Sequence, residues 1–347
     1  MFQRRWCSNR LATFNAVTLR SGGRRAQHLF ECVTSFCIKG MLTLGGEAMF
    51  NDVLFVSRIK TNNVGDRLAS PYLYFRQDFP GARQVEIHLG DRPFWRRLRK
   101  LISRISCARM IIIGGGGLLG QRYFAGDMAV WGSVSKSIKV IWGVGHNSHD
   151  IHGIDSANPA AHEYEGVTGF HAIGIRDWAT GFGWVPCVSC MHEELSGIPN
   201  ESAGLVAALH HETRSWPKYI TSVIGASREQ VEVVFNDSSP ERFIGKLRSA
   251  RAVVTNSYHA AYWATLMGKP VVAIGGGSKV RMLKHAPVLG EAENWAQSVE
   301  RAVKYPDALE ECRERTLEFR RLVVDVYGGA KRRIVSVRSK SIPGGPV

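Results

Sequence analysis

The chain has 347 residues, 44% of them hydrophobic and 22% charged, and a net charge of +15. No apolar run reaches the roughly 18 residues that a membrane-spanning helix needs, so a helical membrane protein is excluded and the chain reads as soluble. The charge is uneven: residues 1–48 and 326–347 each carry +5, leaving +5 for the body between them. A nucleic-acid partner is therefore not expected, and anionic substrates or a membrane surface account for the basic excess.

The seven cysteines are scattered and odd in number, which reads as reduced thiols in a cytosol. Cys187 and Cys190 form the one C-x-x-C, with His192 close behind. No second pair follows at ligand spacing, although His210 and His211 are at hand, so two buried thiols are expected and no metal.

Residues 1–48 are Arg-rich and hold no acid before Glu31. They resemble a transit peptide, but Met49 immediately precedes convincing structure, and the segment reads as a basic extension from a start placed too early. Asn51–Ser57 is the first expected strand. Asn63-Val64-Gly65-Asp66 follows, a turn with a permissive glycine and a carboxylate at a helix start, ahead of a helix over Leu68–Phe75; it reads at least as well as a helix cap after a strand as it does as a ligand contact. Gln84–Leu89 reads as a strand. Pro93–Arg104 reads as a basic amphipathic helix, more in keeping with sheet packing than with the alternative of peripheral membrane contact.

Arg109–Ile113 is an apolar strand running into Gly114–Gly117, and Gly115, Gly117 and Gly120 satisfy G-x-G-x-x-G. The strand is not the first of its domain and no acid follows at ribose spacing, so nicotinamide chemistry is disfavoured. Close backbone approach to a phosphate or sugar at Gly115, Gly116 and Gly117 is the weaker expectation that remains. A strand over Ile138–Val144 leads to His146, His149, His152 and His162, read as a polar interdomain loop. Ala172–Ile175 is a strand ending in Arg176-Asp177 at the start of a short helix; that arginine can fork onto a carboxylate or phosphate, and equally can pair with Asp177 or cap neighbouring carbonyls. The linker is expected within Ser189–Glu201.

A second series begins with a strand over Gly204–His210. A helix over Pro217–Ile224, the strand Val231–Phe235 and a helix over Ser239–Ala250 follow. Next come the strands Ala252–Thr255 and Val271–Ile274, separated by a helical segment that opens with Asn256, Ser257, Tyr258 and His259. Gly275–Gly277, Lys279 and Arg281 follow the second strand. Glu291–Lys304 and Pro306–Val326 close the chain as helices. In open parallel sheets ligands bind beyond the carboxyl ends of the strands, where both of these polar turns lie.

These turns taken together resemble the polysaccharide pyruvyl transferase family from about Asn51 to Arg320. The resemblance rests on Asn63–Asp66, Ile112–Leu119, Gly174–Asp177, Thr255–His259 with Gly268-Lys269-Pro270, and Lys279. It implies an α/β fold of two Rossmann-like domains with an interdomain cleft, similar to two-domain (GT-B-like) glycosyltransferases. On this reading 49–200 forms the N-terminal, acceptor-side domain, 201–326 the C-terminal, donor-side domain, and 327–347 a basic tail. The implied activity moves pyruvate from phosphoenolpyruvate to a sugar of a surface polysaccharide, forming a ketal, with phosphoenolpyruvate as donor substrate and no cofactor. The implied setting is cytoplasmic exopolysaccharide synthesis at the inner face of the membrane, on a saccharide acceptor that is growing or lipid-linked.

His259 is then the acid/base, since an imidazole near neutral pH serves either role. Asn256, Ser257, Lys279, Arg281 and Arg176 are donor-binding, while Asn63, Asp66 and Gly115–Gly117 face the substrate. Family members often carry an arginine two residues before the histidine, where this chain has Ser257, so Lys279 and Arg281 must hold more of the donor's charge. The alternatives are a nucleotide-sugar-dependent glycosyltransferase of the same fold and a non-catalytic saccharide-binding relative.

Overall fold

The computed structural model describes residues 52–87, 108–120, 137–147, 169–197 and 203–329, with Phe124, Asp127, Met128, Trp131, Gly132, Tyr164 and Val167. The extension 1–48, the Pro93–Arg104 stretch, His149, His152, His162 and most of the basic tail lie outside the described residues.

Two parallel sheets organise the chain. The first contains β1 (Asp52–Ser57), β2 (Arg83–Glu86), β3 (Ala108–Gly114), β4 (Gly117–Leu119), β5 (Ile138–His146) and β6 (Ala172–Ile175). β1 lies between β2 and β3, and β5 lies between β3 and β6. β4 continues the line of β3 past Gly115-Gly116 and pairs with the end of β5. The second sheet contains β7 (Ala203–Leu209), β8 (Val231–Phe235), β9 (Ala250–Thr255), β10 (Val271–Ala273) and β11 (Val288–Leu289), in the order β11-β10-β9-β7-β8. Setting β4 aside, both sheets follow one doubly wound order, in which each first strand has the second on one side and the third on the other. That order places a switch point at the ends of β1 and β3 and another at the ends of β7 and β9.

The apolar runs are continuous because both faces of each sheet are covered. In β1, Leu54 and Val56 face one core while Val53 and Phe55 face another. In β7, Val206 and Ala208 share a core with Val253, while Leu205, Ala207 and Leu209 pack on the opposite face with Ala252 and Val254.

The helices between strands are short except the last. Pro71 divides the helix expected over Leu68–Phe75 into α1 (Val64–Leu68) and α2 (Tyr72–Phe75), because its ring fixes φ and removes a donor. α3 (Pro217–Gly225) and α4 (Pro240–Ser249) begin with prolines, and the Ser239 side chain caps α4. α5 (Tyr258–Leu266) is buried at every residue, α6 is Ser278–Arg281, and α7 is Ala308–Gly328.

α7 does more than close the second series. Ala308 and Cys312 sit in the second sheet's core, whereas Phe319 and Val323 pack on the first sheet with Phe55, Met110 and Trp142. Arg320 grips Asp78 with both ends of its fork, at 2.7 and 2.5 Å.

Three further expectations differ from the structure. No helix follows Ile175: Arg176 and Asp177 lie in a bend that continues to Ala179 at φ 61°. The Glu291–Lys304 helix is reduced to a 3-10 stretch, Trp295–Arg301, fixed by Trp295 Nε1 donating to Val223 O. His146 is the buried last residue of β5 and not part of a loop. β4 and β11 are too short for alternation to reveal them.

The glycine run at the end of β3 is a packing device. A Cβ on Gly114 would meet Pro71 Cγ at 2.3 Å, and one on Gly115, whose φ is +80°, would meet Ala69 O at 1.9 Å. The chain between α1 and α2 thus lies directly on the glycines. Gly115→Ala is expected to destabilise the fold by roughly 1–3 kcal/mol from overpacking and by about 1 kcal/mol more from the left-handed backbone. The urea midpoint measures this.

Candidate functional site

The loop after β1 is held by Glu86, whose carboxylate accepts the N–H groups of Ile59 and Lys60 at 2.8 and 2.6 Å. Asn63 then caps α1, its side chain accepting from Gly65 N at 2.9 Å. From that cap α1 reaches the second sheet: Val64 N donates to Asn236 O at 2.7 Å, and Val64, Leu68 and Ala69 enter the core containing Tyr258 and Ala260. The strand ends of the two sheets therefore meet around α1.

His259, the second residue of α5, lies under that helix. It is 4% exposed, and a Cβ added to Gly65 would stand 2.1 Å from its Nδ1. Only glycine lets the α1 backbone lie on the ring. Burial first, and then the charges of Arg176 and Lys279, hold the imidazole well below its usual pKa, so it is neutral at pH 7.

Arg176 is 3% exposed at the end of β6. Its guanidinium carbon lies 3.8 Å from the Tyr258 ring centroid, and Nε is 3.7 Å from Asp177 Oδ1. Asp177 is bound in turn by His146 N–H at 2.5 Å and Tyr164 O–H at 2.9 Å. Burial pushes the Asp177 carboxyl up, against the pull of Arg176 and these two donors. Arg176 Nε and Nη1 are buried without a hydrogen-bond partner among the described residues. A buried guanidinium N–H left without a hydrogen bond is costly, and an anion is the partner that would satisfy it.

Lys279 completes a cationic pair. Its ammonium donates to Asn147 Oδ1 at 3.0 Å. Burial, then the Arg176 charge, bring it down to about 8, against Asp66 and Glu212. Gly117 permits this assembly, since a Cβ there would meet Asn147 Cβ at 2.4 Å and Arg176 Nη2 at 3.3 Å. A ligand anion held by Lys279 is expected to bind less tightly as pH rises through about 8, where the ammonium loses its proton. Phosphoenolpyruvate titrations across pH 7–9 on wild type and Lys279→Arg check this, the arginine removing the dependence.

A second neighbourhood adjoins the first. A cavity of about 290 Å³ lies between the ends of β1 and β7, lined by Arg58, Lys60, Asn63, His210, His211 and Glu212 among others. Arg58 bonds Asp66 at 3.1 Å. The His210 and His211 rings stack 4.4 Å apart, and with Glu212 they bring three candidate metal-ligand atoms within 4.8 Å of one another.

Asn256 and Ser257 serve this neighbourhood. Asn256 accepts from His210 N at 2.8 Å and donates to Thr213 Oγ1 at 2.9 Å, and Ser257 Oγ lies 3.4 Å from Asn236 Nδ2. Asn236 Oδ1 accepts both His211 N and His211 Nδ1–H, at 2.8 and 2.9 Å.

Of the residues read from sequence, His259, Arg176, Lys279, Asp66 and Gly117 converge. Asn63 acts as a helix cap at the cavity rim, Gly115 is occupied by packing, and Arg281 is half-buried in the last turn of α6. Gly116, with Asp66 Oδ1 at 3.8 Å from its added Cβ, is less crowded. Asn147 and Asn236 were not singled out, and Tyr258 was named only as part of its turn. Their positions at or just after the ends of β5, β8 and β9 were the available signal. Cys187 and Cys190 are buried free thiols, and burial raises both.

The stretch that builds the second sheet's half of this arrangement, from β7 through His259, is also the part of the chain that a family model matches. Residues 197–278 match the polysaccharide pyruvyl transferase family. The match contains Asn236, Asn256, Ser257 and His259, stops one residue before Lys279, and bears out the resemblance over this part of the chain. No curated protein matches the chain. A functionally uncharacterized protein of Klebsiella pneumoniae subsp. pneumoniae is similar in structure at 13% identity and a TM-score of 0.35, covering 69% of this chain and 88% of its own. Among the described residues, no helix is long and apolar enough to cross a membrane.

Proposed function

We propose that this protein transfers a pyruvyl group from phosphoenolpyruvate to a sugar of a surface polysaccharide, forming a ketal. The observation that carries the reading is Arg176, a buried guanidinium whose Nη1 makes no hydrogen bond and whose Nε makes only a 3.7 Å ion pair with Asp177 among the described residues, within the charge field shared with Lys279 and His259. Phosphoenolpyruvate carries a phosphate and a carboxylate, and two clustered cations match it. The family match over residues 197–278 supports the same reaction class.

In this reading a proton adds to the methylene carbon of the enol, and an acceptor hydroxyl attacks the resulting oxocarbenium-like centre. A second hydroxyl displaces phosphate to close the ketal. His259 is the acid/base. Burial, and then the charges of Arg176 and Lys279, depress it in the free protein, and a polyanionic donor between the two cations offsets the second, smaller part of that effect. Lys279 and Arg176 hold the donor in place of the arginine that many relatives carry at the Ser257 position, and Arg281 adds charge at its edge. The polar cavity beside Asn63 and His210 receives the saccharide. The two sheets act as the donor and acceptor halves of a glycosyltransferase-like pair of domains, in the cytoplasm, with the acceptor lipid-linked at the membrane face.

The test is calorimetric titration of the purified protein with phosphoenolpyruvate and, separately, with nucleotide sugars, followed by phosphate release in the presence of saccharide acceptors. Micromolar to millimolar binding of phosphoenolpyruvate with acceptor-dependent phosphate release is expected. Tight nucleotide-sugar binding with no response to phosphoenolpyruvate would replace this reading with a glycosyltransferase.

A further inference from the structure

The two ring nitrogens of His259 have different surroundings. Nδ1 lies against the Gly65 backbone on the α1 side, and Nε2 lies 3.6 Å from Cys187 Sγ. A run of buried groups leads away from that sulfur. Ser189 Oγ is 3.2 Å from Cys187 Sγ, and Trp263 Nε1 is 2.9 Å from Ser189 Oγ. Cys187, Ser189 and Trp263 are each 0% exposed. Tyr262 O–H donates to Cys187 O at 3.0 Å, fixing the residue that carries the thiol at the head of the 3-10 turn Val188–Met191, which carries the hydroxyl.

The chemistry of the far end sets the direction of every bond. An indole N–H only donates, so Ser189 Oγ accepts from Trp263. The serine's own proton then goes to the sulfur beside it, since a buried hydroxyl proton left unbonded is costly. With its sulfur accepting from Ser189, the thiol turns its S–H toward His259 Nε2. Burial keeps Cys187 as a thiol, able to donate. Nε2 is thereby the acceptor, and the ring proton resides on the other nitrogen.

We propose that the buried series Trp263–Ser189–Cys187 fixes His259 as its Nδ1–H tautomer, so that His259 meets the bound donor substrate as a hydrogen-bond donor, with Cys187 as a positioning residue. The second half rests on the pyruvyl-transfer reading; the tautomer does not. The role parallels that of the outer partners which orient a metal-ligating imidazole, where loss typically lowers metal affinity or activity about 10–100-fold.

The experiment is nitrogen NMR of the full chain labelled with ¹⁵N-histidine, His259 being assigned from the signals lost in His259→Gln. The expected result at pH 7 is a protonated Nδ1 and an unprotonated Nε2. Cys187→Ala is expected to abolish this preference and lower kcat/KM for phosphoenolpyruvate roughly tenfold, while Cys187→Ser, which keeps a donor, restores both. If Cys187→Ala does not fold, Ser189→Ala replaces it with the same expected direction. A protonated Nε2 in wild type, or an unchanged tautomer in the alanine variant, overturns the proposal. The predicted tautomer in a protein inert toward phosphoenolpyruvate upholds the hydrogen-bond series and removes the pyruvyl-transfer reading instead.

Discussion

His259→Ala is expected to lower turnover with phosphoenolpyruvate by about 10²–10⁴-fold, the usual contribution of a positioned acid/base. The residue is buried beneath Gly65, within the charge field of Arg176 and Lys279. Donor binding should change far less than turnover, because those two cations remain. Steady-state rates of phosphate release, alongside calorimetric affinity, separate the effects. A variant that retains a tenth or more of wild-type turnover removes His259 from the chemistry and leaves it a packing residue under α1.

Arg176→Met carries the second large effect, on stability as well as binding. The arginine is the charged partner of a fully buried carboxylate, with Asp177 Oδ1 3.7 Å from Nε. Removing one member of such a pair strands the other, which costs about 3–5 kcal/mol. His146 N–H and Tyr164 O–H still hold Asp177 Oδ2, so the lower part of that range applies. Arg176→Met/Asp177→Asn is expected to regain part of the loss, since no buried charge is then left alone. Neither variant should bind phosphoenolpyruvate measurably. Urea denaturation gives the first comparison and calorimetry the second, and a stable Arg176→Met protein with wild-type donor affinity would move the anion site elsewhere.

The sheets were legible because the central strands are continuous apolar runs, such as those of β3, β5 and β9, of a length suited to a strand covered on both faces. Val231–Phe235 and Ala172–Ile175 fall where the pattern placed them. The misplaced helices share a cause: no local pattern reports a partner that is distant in sequence. Trp295 is held by Val223 O, and Arg176 stays in a bend under contacts from Tyr258 and Asp177. His259 and Lys279 could be read from their turns, because a strand end in a doubly wound sheet is a privileged position. Asn63 and Asn256 have the polarity of ligand contacts, but their side chains are taken up by a helix cap and by the loop after β7. Polarity at a strand end identifies the neighbourhood and leaves open which groups are already bonded. Arg176 is the converse, readable equally as an anion fork and as the partner of Asp177, and distinguished by nitrogens that make no hydrogen bond among the described residues.

α7 also determines how the chain tolerates being divided. The break in the alternation falls near Gly197, but Phe319 and Val323, which cover Phe55, Met110 and Trp142 of the first sheet, are encoded after it. A polypeptide ending near Gly197 would expose that apolar face to water. The complementary polypeptide would carry a 21-residue helix with half its seat missing. Made separately, the two pieces are each prone to aggregate. Made together, they have the means to find one another through a single shared helix, so fragment complementation, rather than independent folding of two halves, is the behaviour written into this topology.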